Sequence, residues 1–345
     1  MRWMSVNTVR KLGDWYRRNA RDLPWRRDRD PYRIWLSEIM LQQTQVKTVI
    51  PYFEAFLDKF PAVEDLADAP VDEVLRLWAG LGYYSRARNL HAGARSLAGR
   101  LRAGKGYPGS RKDWLEIPGV GPYTAGAVCS IALGLREPIV DGNVVRVMSR
   151  FYAIENSDPR HAEIWKHARK WVEVLEVEPE TINQGLMELG ALICTPRNPR
   201  CEECPIRRNC RGKTDPSRYP VKKKKAEVLK VAEEVWILYR RDGRKCEVVL
   251  KQNSSGPWRR GLWDFPPSGS VALGRDNALL AEWSSSYAVT RHRINRQHRA
   301  YRVSRLSLKS GYEWFSLNEL PAVPAPTRRA LIRLRQEIDQ RPGPV

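Results

Sequence analysis

Two carboxylates stand where an acid could do chemistry. Glu38 is the single acid in the helical stretch Ile34-Trp35-Leu36-Ser37-Glu38-Ile39-Met40-Leu41. Partial burial on such a helix raises a carboxyl pKa and keeps a proton available near neutral pH. The bland alternative is an exposed helix glutamate. Asp141 opens Asp141-Gly142-Asn143, a turn just ahead of the apolar helix Val144–Phe151. Upstream of it lies the tight turn Pro118-Gly119-Val120-Gly121, followed by the helix-favouring segment Tyr123–Leu133. Gly119 and Gly121 permit positive φ and close backbone approach. The unpaired amides opening the next helix can receive a phosphate oxygen. A phosphate clamp with a carboxylate nearby points to an enzyme acting on DNA. The same residues equally suit an ordinary helix–turn–helix with Asp141 as an N-cap.

The spacing Cys194-x6-Cys201-x2-Cys204-x5-Cys210 puts four thiols on one short loop stiffened by Pro196, Pro199 and Pro205. In a reducing compartment such a cluster argues for a metal centre over disulfides. Structural zinc usually takes two close Cys pairs, and only Cys201 and Cys204 are closely paired here. Cys129 and Cys246 lie in apolar settings and read as ordinary buried residues.

The elements that position these groups come from periodicity. Helical spacing marks Val6–Tyr16, Ile34–Met40, Val46–Leu57, Val71–Trp78 and Ser85–Leu101, with Asp158-Pro159 opening a helix to Leu175 and a last one over Thr181–Cys194. Residues 1–215 therefore read as an all-helical domain. A linker over 216–228 holds the run Lys222-Lys223-Lys224-Lys225, which reads as solvated charge. The rest, 229–345, reads as α+β. Strands are expected over Val231–Tyr239 and Cys246–Lys251 around the hairpin signal Asp242-Gly243, with another at Tyr301, Val303 and Leu306, and a closing helix over Thr327–Ile338.

A chain of 345 residues can hold two full cores, and Lys+Arg 60 against Asp+Glu 39 gives a net charge of +21. That excess favours a polyanion, above all nucleic acid, over a membrane. No apolar run approaches a membrane span, and the N-terminus lacks a signal-peptide apolar region. The expectation is a cytoplasmic, nucleoid-associated monomer that binds duplex DNA and no membrane.

The cysteine spacing resembles the iron–sulfur loop of the endonuclease III, or helix–hairpin–helix, superfamily of DNA glycosylases, and implies a [4Fe–4S] cluster on Cys194, Cys201, Cys204 and Cys210. Ile117–Val128 followed by Asp141 resembles the hairpin and catalytic aspartate of that superfamily. Within it, Leu23-Pro24-Trp25-Arg26, Ser37–Val46, Gly80–Leu90 and Val140-Asp141-Gly142-Asn143-Val144 look like the A/G-specific adenine DNA glycosylases. The resemblance covers residues 5–215 closely and the rest more loosely. It implies that Glu38 protonates the leaving adenine, while Asp141 stabilises the cation-like sugar with Asn143 and Tyr123 assisting. It also implies that Trp25, Arg26 and Gln184 line the adenine pocket, that Gln43 and Tyr83 wedge into the duplex, and that Gly119, Val120 and Gly121 form the phosphate-binding hairpin. Arg86 and Arg88 are candidates for phosphate contacts. Strand-cutting relatives carry a lysine where this chain has Tyr123, and a phenol forms no Schiff base. The implied enzyme is monofunctional and leaves an abasic site.

Gly261-Leu262-Trp263-Asp264-Phe265-Pro266 resembles the entry to the Nudix-like domain of these glycosylases. The segment Asn277–Ser286, where a hydrolysing Nudix enzyme keeps its Glu-rich metal-binding helix, has only Glu282, so no pyrophosphatase activity is expected. The family reads 8-oxoguanine with a loop of pattern His-x-Phe-Ser/Thr-His. The nearest match is His292-Arg293-Ile294-Asn295-Arg296, in which Ile294, Asn295 and Arg296 become the lesion-reading candidates. Asn295 can donate and accept at a purine edge, and Arg296 can pair with a guanine face. The implied substrate is double-stranded DNA with adenine opposite 8-oxoguanine or guanine. Competing readings are relaxed or redirected opposing-base recognition, a glycosylase for mispaired thymine or oxidised pyrimidines, and a non-catalytic DNA-binding iron–sulfur protein.

Overall fold

The computed structural model describes residues 4–155, 161–221, 227–243, 245–254, 258–274, 277–304 and 306–340. The Asp158-Pro159 helix start and the lysine run 222–225 lie outside these residues. Two compact units emerge, one of Met1–Asp68 with Asn89–Lys224 and one of Ala69–Arg88 with Lys225–Val345.

The first unit is helical. Its elements are α1 (Val6–Asn19), α2 (Pro31–Leu41), α3 (Val46–Lys59) and α4 (Val63–Asp68). After α5 (Val71–Leu77) and α6 (Ser85–Arg102) come α7 (Arg111–Leu115), α8 (Pro122–Ala127), α9 (Gly142–Tyr152), α10 (Ala162–Val172) and α11 (Pro179–Leu192). Asp30 caps α2 by accepting from the Arg33 N–H at 2.9 Å, and Pro31 takes its first position. Tyr32, Ile34, Trp35, Leu36, Ile39 and Met40 are all buried, so α2 runs through the core and carries Glu38 inside with it. A core of α1, α9, α10 and α11 side chains, including Leu12, Phe151, Trp171 and Leu189, sits against three of the loop cysteines, Cys194, Cys204 and Cys210. The short helices α4 and α7 fall below the length at which periodicity declares itself.

Alternation fixes the second unit. Strands β1 (Leu229–Asp242), β2 (Lys245–Gln252), β3 (Trp263–Asp264), β4 (Ala278–Val289), β5 (His292–Arg302) and β6 (Tyr312–Ser316) form one sheet of order β3-β2-β1-β5-β4, with β6 on β2. β1 and β5 run parallel and the other pairs antiparallel. Helix α12 (Ala325–Gln340) buries Leu331, Leu334 and Ile338 in the sheet's core. The segment 277–286 enters β4, paired along β5 from Leu279↔Tyr301 to Val289↔His292. One expectation is corrected here. The strand expected around Val303 and Leu306 ends at Arg302.

Residues 69–88 also differ from the expected boundary, because they group with the C-terminal residues. Within this unit the Tyr84 hydroxyl donates to the Val323 carbonyl at 3.1 Å, and Arg88 Nη1 donates to the Arg260 carbonyl at 2.6 Å. Among the described residues no helix is long and apolar enough to cross a membrane.

Candidate active site

Helices α2 and α11 each present one face to a cavity of about 590 Å³. From α2 come Ile34, Ser37, Glu38 and Leu41; from α11 come Gln184, Met187, Glu188 and Ala191, the i, i+3, i+4, i+7 spacing of a single helix face. Trp25, Arg26, Gln43, Tyr123, Asp141 and Asn143 complete the walls. The structure thus brings together all four expected catalytic residues and the three adenine-pocket residues.

Glu38 is 5% exposed. Burial pushes its carboxyl up to about 7; a hydrogen bond from the Tyr123 hydroxyl opposes that rise, the Asp141 charge adds to it and Arg26 opposes it. Tyr123 is raised well above the usual phenol value by burial first and then by the two neighbouring carboxylates, so it acts as a donor. Asp141 caps α9: its Oδ1 accepts from the Val144 N–H at 2.7 Å and its Oδ2 from Asn143 Nδ2 at 2.8 Å. Burial lifts its pKa, against these bonds and the charge of Arg146. Asp141 is thus an N-cap that also faces the cavity.

In the hairpin, Gly119 has φ +81°, and a Cβ there would stand 2.6 Å from the Asn89 Cβ. Only glycine fits both demands. Gly121 precedes α8, while the Val120 side chain is tucked inside as the apolar peg of the turn. Gln43, on the cavity rim, takes φ 57°. In the other unit Tyr83 takes φ 48° between Gly82 and Tyr84 and is 43% exposed. Left-handed backbone at non-glycine residues costs energy and concentrates at functional sites. Arg86 is corrected from phosphate contact to brace. Its buried guanidinium donates to the Leu81 and Gly82 carbonyls at 3.2 Å and lies over the Trp78 and Tyr83 rings, supporting the Tyr83 turn.

Arg146 links the Asp141-Gly142-Asn143 turn to the cysteine loop. It donates to Asn143 Oδ1 at 2.8 Å, to the Gly190 carbonyl at 2.6 Å and to the Cys194 carbonyl at 2.6 Å. Cys194, Cys201, Cys204 and Cys210 line one small cavity with Arg150, Pro199 and Gly212. Among the described residues no three His, Cys, Asp or Glu groups converge as a single-ion site. Four thiols lining a common space fit a multi-iron cluster better than one tetrahedral ion. Arg150 donates to the Cys194 Sγ at 3.3 Å.

Sequence reasoning missed Glu188 and Arg21. Glu188 binds both Arg21 and Arg26 on the cavity floor. Its signal was the one that exposed Glu38, a lone carboxylate among apolar helix neighbours (Leu186, Met187, Leu189).

The lesion-reading trio is corrected in part. Alternation along β5 turns Ile294 and Arg296 inward and leaves Asn295 exposed. Ile294 is fully buried, and Arg296 is 1% exposed. Arg296 forms a bidentate pair with Asp264 (2.9 and 2.9 Å) and donates Nε to Glu233 at 2.8 Å. Burial alone would raise Asp264, yet Arg296 and Arg259 hold it below the usual carboxylate range. Arg296 is a core ion-pair residue, with no face left for a guanine.

Residues 36–174 match the HhH-GPD superfamily of base excision DNA repair proteins, and residues 194–210 match the iron-sulfur binding domain of endonuclease III. An adenine DNA glycosylase of Buchnera aphidicola subsp. Baizongia pistaciae is 34% identical over 313 residues, 89% of this chain and 85% of that one. The chain belongs to the adenine DNA glycosylase family. The human adenine DNA glycosylase is 46% identical over 215 residues, which is 59% of this chain but only 38% of the human protein. A solved thermostable thymine-DNA glycosylase, 33% identical with a TM-score of 0.55, covers 60% of this chain and 94% of its own. Family membership makes the loop 194–210 an iron–sulfur site, for a [4Fe–4S] cluster held by its four cysteines.

Proposed function

We propose that the chain hydrolyses the N-glycosidic bond of adenine mispaired with 8-oxoguanine or guanine in duplex DNA, leaving an abasic site. The observation that carries this reading is that Glu38 and Asp141, far apart in sequence, line one cavity large enough for a purine. The base leaves the helical stack to enter it, with Gln43 and Tyr83 filling the gap and the Gly119–Gly121 turn holding backbone phosphate. Protonated Glu38 gives its proton to the base as the C1′–N9 bond breaks, and the bond's electron pair leaves with adenine. Asp141 faces the sugar cation, and Glu38, now ionised, takes a proton from the water that attacks C1′. The cluster, when bound, supplies a fixed fold for the loop 194–210. Tyr123 in the hairpin supports a monofunctional reaction, since it offers no amine.

A panel of duplexes with adenine opposite 8-oxoguanine, guanine, cytosine and other lesions tests this reading. Adenine release with intact strands, fastest opposite 8-oxoguanine, is expected. Release of thymine or an oxidised pyrimidine in place of adenine would overturn it. One observation favours a second reading, relaxed opposing-base choice: Ile294 and Arg296 are both committed to the core, which leaves Asn295 as the exposed member of that trio.

A further inference from the structure

The floor of the Glu38 cavity holds a third carboxylate that takes no part in the proton or sugar chemistry. The Glu188 side chain is 1% exposed. Its Oε1 accepts from the backbone N–H and Nε of Arg21 at 3.2 and 2.6 Å, and its Oε2 from Arg21 Nη2 and Arg26 Nη2, each at 2.9 Å. A carboxylate this buried is held ionised only by such charge-assisted bonds. Two further contacts fix the plane of the Arg26 guanidinium. Its Nη1 donates to the Arg21 carbonyl at 3.1 Å, and the Tyr16 ring lies 5.6 Å below its centre. Tyr16 in turn donates to Gln184 Oε1 at 3.0 Å, so one connected network spans the cavity floor.

We propose that Glu188 is the positioning residue of the base pocket. It locks Arg26 beside Glu38 as a fixed cationic donor for the acceptor nitrogens of the purine, and it acts on excision only through Arg26. An arginine without this anchor would spread over many rotamers, and small misplacements of a binding group are costly to a reaction rate. Glu188 also balances the Arg26 charge. Without it, an uncompensated cation would face a sugar that becomes cationic as the base departs. The inference rests on the reading of this cavity as the adenine site.

The test is a double-mutant cycle in the full, cluster-loaded protein, with single-turnover adenine excision and duplex affinity measured separately. Glu188→Gln and Arg26→Gln should each slow excision by about 10- to 100-fold, the worth of a hydrogen bond to a charged group. Duplex affinity should hold. The double variant should match Arg26→Gln alone within about twofold, because the two losses are one loss. Glu188→Asp, which keeps the charge but shortens the reach, should recover part of the rate. Should Glu188→Gln lose its visible absorbance or unfold, Glu188→Asp takes its place in the cycle. Multiplicative losses, or a Glu188 variant with the wild-type rate, would overturn the proposal while leaving the glycosylase reading intact. A wild-type protein that released no adenine would remove both.

Discussion

Tyr123 donates its hydroxyl to Glu38 Oε2 across the cavity that Asp141 also lines. This contact couples the hairpin to the acid. The same residue, in the first turn of α8 just past the Gly119–Gly121 turn, stabilises the ionised form of Glu38. Burial opposes it and wins, so the acid keeps a proton near neutral pH. In the proposed reaction Glu38 is thus poised between holding its proton for the base and accepting one back from water.

The pH dependence follows from that balance. Glu38 is active when protonated, so single-turnover excision should fall as pH rises through about 7. Stability moves the same way. The folded value lies above that of an unfolded glutamate, so the contribution is full below the unfolded pKa and is lost as pH rises through the folded one. Its size is up to about 3 kcal/mol. Glu38→Gln removes this penalty and should melt higher than wild type at pH 8 but not at pH 5. Equal melting temperatures at both pH values would contradict the burial of Glu38.

In the proposed reaction Tyr123 is what separates the two modes of glycosylase chemistry. Tyr123→Phe deletes the bond that lowers the Glu38 pKa, so the alkaline limb of the rate profile should shift to higher pH. Tyr123→Lys puts an amine at the hairpin. Borohydride should then trap a covalent DNA complex that the wild type does not form. Trapping by the wild-type protein would contradict a monofunctional reaction.

The cysteine loop depends on Arg150. This buried arginine donates to the Cys194 Sγ at 3.3 Å, to the Thr195 carbonyl at 2.8 Å, and to the Pro216 and Tyr219 carbonyls at 2.9 and 3.1 Å. Arg150→Met leaves several half-buried acceptors unpaired, each costing at most about 1–3 kcal/mol. Iron content per chain and the guanidinium unfolding midpoint should both drop. Full iron loading with an unchanged midpoint would show that the loop closes without it.

Asn295 and Arg296 should part company. Asn295→Ala, on the exposed face of β5, should lower the preference for 8-oxoguanine over guanine. Arg296→Met breaks a buried pair with Asp264 and should destabilise its unit by about 3–5 kcal/mol. Melting curves and excision ratios measured side by side distinguish the two. A specificity change in Arg296→Met without a stability loss would contradict its place in the core.

Which of these features were legible in the sequence depends on how far apart the interacting groups lie. Asp141 declares itself locally, as a cap before an apolar helix, and Glu38 by its apolar neighbours. Glu188 carries the same local mark, but its meaning comes from Arg21 and Arg26, more distant in the chain. The start of β4, Ala278-Leu279-Leu280-Ala281-Glu282, is a run of good helix formers. Pairing with β5 overrides that preference. Arg296 reads as a loop cation until the register of β5 turns it inward toward Asp264. The grouping of 69–88 with the C-terminal unit depends on contacts such as Tyr84 to Val323, which no local pattern encodes.

The most direct test is single-turnover release of adenine from an adenine:8-oxoguanine duplex by wild-type protein and by Glu38→Gln, with duplex affinity measured for both. The wild type should free adenine and leave the strand intact. Glu38→Gln should bind the duplex as tightly yet excise at least about 10²-fold more slowly, the usual worth of a general acid. Excision by Glu38→Gln at the wild-type rate would contradict the role assigned to the buried acid.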